Sequence, residues 1–486
     1  MNLRMMMRII AYVLFVEAAL MIPPVLISLV LHETASVQAF LISIAIIIGV
    51  AGFLYAITIK ASGKRFYARE GLATTGLSWI FLGALGCLPF VLSGAIPSYV
   101  DALFEMVSGF TTTGSSILNN VEILPKGILW WRSFSHWVGG MGVLVFLMAI
   151  VSVSGKNQGF TLHIMRSESP GPAVGKMVPR MKDTAKILYW IYTGMTVIDI
   201  VLLKLGGLSL FDSCCLAFGT AGTGGFGLLN DSFASYSPYI QNVTTLFMLL
   251  FSVNFSIYYL ILMKKFSAAF GDEEFKLFWA AVFVATAVIA INVRPLYSTL
   301  EETIRHSAFT VGTIMSTTGY ATTDFDLWPS FAKSIVVLLM FCGACAGSTG
   351  GGFKQIRLLL LWRSLRRNLH RSMHPSEVRA IHVNGRAIDE GIIHNTHAYL
   401  VAYVIILIVS VLIVSLDGFN FETNFTAVMA TLNNIGPGLS QVGPTCNFSG
   451  YSDLSKLVLT ADMLAGRLEI YPMLILISKS AWKKAR

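Results

Sequence analysis

Four times along the chain, an apolar run long enough to cross a bilayer is followed by a shorter stretch ending in a Thr/Gly-rich loop and then by a second apolar run. The paired runs cover residues 74–92 and 130–153, 185–205 and 243–263, 278–291 and 331–361, and 399–416 and 457–477. Between the members of each pair lie residues 101–116, 211–227, 302–320 and 421–438. Each is too short and too polar to span, because crossing the hydrocarbon takes about 20 apolar residues. Irregular backbone is tolerated at membrane depth only where it lines a water-filled path or is buried in protein. The repeat therefore predicts four re-entrant segments around one pore, all within a single chain.

Composition excludes a soluble alternative. Only 13% of the 486 residues are charged and 55% are hydrophobic, whereas soluble proteins carry roughly 25% charged residues. The net charge of +9, from 35 Lys+Arg against 26 Asp+Glu, would suit nucleic acid only on a basic face interleaved with aromatics. Here the basic residues sit in short loops between apolar runs, so no nucleic-acid partner is expected and the charge sets topology. The first run, 9–31, exceeds a signal-peptide core of about 7–15 residues and reads as a retained helix kinked at Pro23 and Pro24. A second run, 40–59, ends in Lys60, Lys64, Arg65 and Arg69; with Arg4 and Arg8 these make a hairpin whose ends are both cytoplasmic.

The connections between units carry Lys156, Arg166, Lys176, Arg180 and Lys182; Lys264, Lys265 and Lys276; and a basic stretch from Lys354 to Arg386; the tail adds Lys479, Lys483, Lys484 and Arg486. All fall on the cytoplasmic side if every span is real. Acids mark the outer loops: Asp101, Glu105, Asp231, Asp324 and Asp326. The expected fold is an all-α polytopic membrane protein with ten spanning helices. It divides into an N-terminal hairpin (1–70) and four pseudo-symmetric helix–pore loop–helix units (71–183, 184–274, 275–394 and 395–486), with both termini cytoplasmic.

Enzyme signatures are absent. No HExxH or GxSxG occurs, and no paired acids share one site. Gly222-x-Gly224-x-x-Gly227 has no strand before it and no βαβ unit around it, and the 347–354 stretch lacks the Gly-Lys-Ser/Thr of a P-loop. Cys342 and Cys345 spell C-x-x-C within an apolar helix, where helix packing is the simpler role, and the six cysteines imply no disulfide framework. No organic cofactor and no nucleotide site is expected.

The four loops superimpose on one glycine each: Gly114, Gly225, Gly319 and Gly436. Two positions earlier stand the polar Thr112, Thr223, Thr317 and Asn434; four earlier stand the apolar Phe110, Ala221, Met315 and Leu432. In the first two units the match reaches back to Asp101 and Asp212. A cation shedding water needs a ring of hard oxygens, and backbone carbonyls supply them without a full charge that would trap the ion. Glycine reaches the unusual angles that aim successive carbonyls inward, Thr hydroxyls can add a further oxygen layer, and short helices before each loop would aim their partially negative ends at the ion.

The loops Thr112-Thr113-Gly114, Thr223-Gly224-Gly225-Phe226, Thr317-Thr318-Gly319 and Asn434-Ile435-Gly436-Pro437, the Trp131-Arg132 to Gly142 stretch, and Gly347-Ser348-Thr349-Gly350-Gly351-Gly352 followed by Lys354 resemble the Trk/Ktr/HKT superfamily of potassium transporters. The resemblance covers nearly the whole chain and is greatest for the bacterial TrkH/TrkG branch. It implies a potassium filter at Thr112, Thr113, Gly114, Thr223, Gly224, Gly225, Thr317, Thr318, Gly319, Asn434, Ile435 and Gly436, with K+ the transported ion. In the superfamily a serine at the first filter glycine accompanies sodium permeation, so Gly114 favours potassium. It further implies an intramembrane gating loop around Gly343, Gly347, Gly350, Gly351 and Gly352, a homodimer in the bacterial inner membrane, and a cytosolic nucleotide-binding regulatory subunit of the TrkA type. The residues concur that 343–352 cannot hold a regular helix, although a close-packed glycine crossing is a competing reading.

Arg467 is the other ionisable residue singled out. Within the last span it is costly against lipid and so functional by default; the resemblance makes it a pore-facing barrier, and the competing reading is an ion pair with a buried acid, for which Glu469, two residues on, is poorly placed. Asp199 and Asp462 are further acids within spans, of undetermined partners. The Lys354 to Arg386 stretch reads either as a lipid-facing cytoplasmic loop or as the docking surface for the regulatory subunit. Passive, channel-like flux is the leading expectation, because no chain of acids or His for a proton relay is evident; sodium- or proton-coupled symport is the alternative.

Overall fold

The computed structural model describes residues 2–59, 67–142, 181–377 and 379–482. Lys60, Lys64, Arg65, Lys156, Arg166, Lys176, Arg180 and the tail residues Lys483, Lys484 and Arg486, all used above to orient the chain, lie outside the described residues. Among the described residues the only strands are His382–Val383 and Arg386–Ala387, an antiparallel pair. Asn384 and Gly385 between them both take positive φ, 52° and 73°, as a tight two-residue hairpin requires. Everything else regular is helical.

Among the described residues, six helices are long and apolar enough to cross a membrane: Leu3–Val30, Thr34–Ile57, Ala68–Leu92, Lys186–Leu205, Glu273–Leu296 and Glu390–Asp417. They are the N-terminal hairpin and the first helix of each unit. Val30, Phe53, Trp190, Ile291 and Leu412 are among the large apolar side chains left more than half exposed on them, as a lipid-facing surface demands. Leu3–Leu20 and Ile22–Val30 meet at Met21, so Pro23 and Pro24 fall in the first turn of the second piece. There a missing N–H costs nothing.

The chain departs from ten uninterrupted spans in the second helix of the units. In unit 1 this is Lys126–Gly140, and the expected run to residue 153 leaves the described residues after 142. In unit 2, Pro238–Phe251 and Phe255–Leu262 meet at 89°. In unit 3, Ser330–Cys342 stops at Gly343 (φ 70°) and helix resumes only at Gln355–Met373. In unit 4, Asp453–Arg467 stops before Glu469 and Ile470, whose φ values are 61° and 65°, and Tyr471–Ile477 follows. The glycines of 343–352 mark the break of unit 3 in the sequence, whereas uniform hydropathy hides those of units 2 and 4; the freed backbone groups of units 2 and 3 pair with one another. Cys345 N–H donates to Ser252 O at 3.1 Å, Phe255 N–H to Gly347 O at 3.1 Å and Thr349 N–H to Phe251 O at 3.4 Å, so the breaks of units 2 and 3 satisfy each other at a depth where water cannot.

Between the two helices of each unit lies a short buried helix: Tyr99–Phe110, Leu210–Gly222, Leu300–Met315 and Phe421–Leu432. Ser98, Ser209, Thr299 and Asn420 cap them, each side chain accepting a backbone N–H three residues on. Such caps stabilise by about 1 kcal/mol each. Acids in the first turns, Asp101, Asp212, Glu301, Glu302 and Glu422, complement the positive helix ends. The first of these helices packs tightly against the first helix of its unit, where a Cβ on Gly83 would lie 2.5 Å from Val107 Cγ2.

Candidate functional site

All four short helices end alike. Thr112, Thr223, Thr317 and Asn434 hold φ of 54°, 55°, 58° and 55°; two residues on, Gly114, Gly225, Gly319 and Gly436 hold 82°, 85°, 94° and 103°. The middle residue's N–H reaches back into the helix: Thr113 to Ser108 O at 2.9 Å, Gly224 to Gly219 O at 2.7 Å, Thr318 to Thr313 O at 2.8 Å and Ile435 to Ala430 O at 2.8 Å. This is the Schellman ending, whose left-handed residue is usually glycine. A threonine there costs roughly 1–2 kcal/mol, and such strain persists only where the surroundings enforce it.

The turns form a closed ring. A Cβ on Gly114 would overlap the carbonyl oxygen of Gly224, one on Gly225 that of Thr318, and one on Gly319 that of Ile435; one on Gly436 would lie 2.9 Å from that of Thr113. Each glycine abuts the middle carbonyl of the next unit, and the fourth returns to the first. One cavity of about 130 Å³ touches all four glycines and is bounded by residues that follow them, including Ser115, Asn119, Pro437, Cys446 and Phe448. The pieces are tied laterally: Ser115 Oγ donates to Gly436 O at 2.9 Å, Asn434 Nδ2 to Thr113 Oγ1 at 2.9 Å, and Tyr320 Oη to Leu216 O at 3.1 Å.

Gly224 interrupts the Thr/Thr/Ile pattern at the middle position for a local reason: its Cβ would collide with the His136 ring. Phe226 N–H donates to His136 Nε2 at 3.3 Å, so the proton lies on Nδ1, which donates to Gly109 O at 2.8 Å. Behind the same turn, Arg132 and Glu105 form a buried ion pair at 2.6 Å, with side chains 3% and 0% exposed. Glu105 is therefore a buried structural partner rather than the outer acid that its position in the sequence suggests; the helix Tyr99–Phe110 can bury it because Arg132 comes to meet it.

A second layer lies against the residues that precede the glycines. The 343–354 loop places Gly351 N–H on Thr317 Oγ1 at 2.6 Å, and a Cβ on Gly351 would lie 2.5 Å from Asn433 O. Positive φ at Gly343, Gly347 and Gly352 (70°, 72° and 78°) folds it. Lys354 Nζ donates to Gly350 O at 2.6 Å, and Glu274 Oε1 accepts from Ala346 N–H at 2.7 Å and Ile356 N–H at 3.1 Å. Arg467 donates to Thr349 O at 2.7 Å, Gly139 O at 2.6 Å and Gly140 O at 2.7 Å. The end of the described unit 1 helix and the breaks of the second helices of units 2, 3 and 4 thus meet in one layer.

Several expectations change here. Lys354 and Arg357 do not belong to the exposed cytoplasmic stretch: they are 1% and 6% exposed, because Lys354 closes the loop and Arg357 pairs with Glu469 and lies over the Tyr399 ring at 3.8 Å. Glu469, weighed as a partner for Arg467, belongs to Arg357. Cys345 lies in the loop rather than in a helix, and all six cysteines are free thiols. Asp462 accepts from Ser410 Oγ at 2.8 Å. On the exposed part of the basic stretch, Arg363 pairs with Glu273 and Arg367 with Glu390; His370 and Arg379 flank Glu377 and hold its carboxyl below the usual range. Sequence reading passed over His136, Asn254 and Glu274. For His136 and Asn254 the available signal was a polar residue within an apolar run, whereas Glu274 follows Asp272 and Glu273 and nothing in the sequence singles it out.

Four pore-loop units closing on one glycine-lined ring define a polytopic membrane protein of the fourfold pore-loop class. Residues 36–484 match the family model TrkH, described as cation transport protein, and the chain belongs to that family. It is 33% identical over the full length of both chains to the "Trk system potassium uptake protein TrkH" of Halomonas elongata, and 34% identical, again over the full length of both, to the protein of that name from Escherichia coli K12. The crystal structure of the potassium transporter TrkH from Vibrio parahaemolyticus superimposes with a TM-score of 0.88 at 31% identity, covering 99% of this chain and 100% of that one. These relatives are named as transporters, not enzymes.

Proposed function

We propose that this chain takes potassium into the cell across the inner membrane, through a pore whose filter is Thr112–Gly114, Thr223–Gly225, Thr317–Gly319 and Asn434–Gly436. The closed order of glycine against the next unit's carbonyl carries the reading, since it gathers four equivalent backbone oxygens about one opening. Four helix ends just before the turns add negative potential there, and carbonyls replace hydration water without trapping the ion. The names of the relatives supply potassium as the ion, and glycine at position 114 agrees with it.

The 343–352 loop and Arg467 act as the gate beneath the filter. Support comes from their contacts: the loop touches Thr317 and Asn433, and Arg467 holds the loop to the end of the unit 1 helix. A cytosolic regulatory subunit of the TrkA type docks on the basic cytoplasmic face, both termini lie on that side, and the protein works as a homodimer. The hairpin and four units keep the boundaries given above. Flux is passive once the gate opens. Current through the purified protein in liposomes is expected to reverse at the potassium equilibrium potential whatever the sodium and proton gradients; a reversal that follows either gradient would establish coupled symport instead.

A further inference from the structure

The junction between the first and second turns, besides His136 and the Asn230 amide that accepts from Val121 N–H, has a charged group that, among the described residues, the junctions of turns 4 and 1 and of turns 2 and 3 lack. Turns 4 and 1, and turns 2 and 3, are joined by hydroxyl and amide groups. Turns 1 and 2 share one guanidinium. Arg132 Nε donates to Glu105 Oε1 at 2.6 Å, Nη1 to Gly227 O at 3.1 Å and Nη2 to Ser116 Oγ at 3.3 Å, while its Cζ lies 3.6 Å over the Phe226 ring. Glu105 in turn accepts from Ser116 Oγ at 3.0 and 3.1 Å and from Ile117 N–H at 3.0 Å. Ser116 and Gly227 each lie two residues past the ring glycine of their unit, so the fork fixes the exit of both turns at once.

Burial makes this arrangement demanding. An isolated charge here would be strongly disfavoured, and apolar replacements of similar volume could pack equally well, yet they would leave Gly227 O, Ile117 N–H and Ser116 Oγ without these partners. The pair therefore contributes position more than packing. Arg132 also borders the outer cavity with Gly114 and Gly225, so Glu105 neutralises a cation that would otherwise stand at the mouth.

We propose that Glu105 and Arg132 form a positioning clamp that sets the spacing of the first and second turns and, through it, the discrimination between potassium and sodium. The inference rests on the reading of the ring as the filter. A planar fork reaches three acceptors, Glu105 in the first short helix and Ser116 and Gly227 in two loops, which a lysine ammonium on a flexible stem cannot reproduce. Charge alone is thus insufficient.

The test is rubidium and sodium flux per molecule in liposomes holding the purified full chain. Arg132→Lys and Glu105→Gln should each lower the rubidium/sodium ratio by roughly tenfold, as loss of a charged hydrogen bond implies, and Ser116→Ala by roughly threefold. A merely structural pair would lower the yield of folded protein and leave the ratio per molecule at the wild-type value, which would overturn the proposal. Should the charged-residue variants fail to fold, Ser116→Ala decides alone, an unchanged ratio again overturning it. Gly225→Ser runs alongside: if it shifts the ratio while the clamp variants do not, the clamp fails and the filter stands; if it too leaves the ratio unchanged, the filter reading falls and the clamp with it.

Discussion

The ring and the layer against it are both made four times, and they differ in how faithfully. The ring repeats one backbone solution: a left-handed Thr or Asn, a middle carbonyl, a glycine of positive φ. The layer of broken helices repeats only a depth. Unit 1 ends at Gly139 and Gly140, unit 2 bends at Asn254, unit 3 unfolds for a dozen residues around Gly343 to Lys354, and unit 4 turns at Glu469 and Ile470. Each turn must offer its middle carbonyl to one neighbour and its glycine to the other for the ring to close, which constrains all four alike. Nothing imposes the same equality on the breaks, where unit 3 supplies the loop, unit 4 the arginine, unit 1 two carbonyls that receive it and unit 2 the carbonyls that hold the loop.

This difference can be broken at either end. Substituting a ring glycine should have the largest effect. Gly225→Ala or Gly319→Ala forces a Cβ onto a neighbouring carbonyl at positive φ, strain of about 1–3 kcal/mol or more, and potassium uptake in a deficient host should fall roughly tenfold to a hundredfold. Gly436→Ala, whose Cβ would stand 2.9 Å from Thr113 O, should be the mildest of the four. Equal loss at all four positions would mean that the inequality in contact carries no weight.

In the second layer the effect should be opposite in sign. Arg467→Ala removes three charge-assisted bonds to carbonyls and should raise basal flux in liposomes roughly tenfold; unchanged flux would separate Arg467 from the gate. Thr317→Val keeps the ring position but deletes the acceptor of Gly351 N–H, one neutral hydrogen bond worth about 1 kcal/mol, so basal flux should rise about fivefold. Smallest is a probe of the mouth. Cys446 is an exposed thiol beside the ring cavity, whereas the other five are buried or partly so. A membrane-impermeant thiol reagent applied outside should slow uptake partially, and Cys446→Ser should abolish that sensitivity; block only from the cytoplasmic side would invert the topology.

The same division explains what could be read from the sequence. The ring was legible because glycine has few reasons to recur at one position of four loops, and the polar residue two places earlier repeated with it. The hairpin and the first helix of each unit were legible from hydropathy. The break at Gly343 to Gly352 declared itself by composition, but those at Asn254 and Ile470 did not, since a single Asn or an Ile inside an apolar run signals nothing until its partner strand of backbone is known. Glu105, Lys354 and Arg357 were misplaced for a related cause. A charge in a loop is exposed by default, and only its partners, Arg132, Gly350 O and Glu469, far away in sequence, bring it inside.

The ring closes on the contact between Gly436 and Thr113, residues of the fourth and first units, far apart in the sequence. Three turns alone therefore leave an open arc: without residues 434–436, Gly319 and Thr113 O both lose the neighbour that each abuts. The contact that shuts the ring is also the loosest of the four, 2.9 Å where the others would overlap, so the closure that spans the most sequence has the most room to adjust.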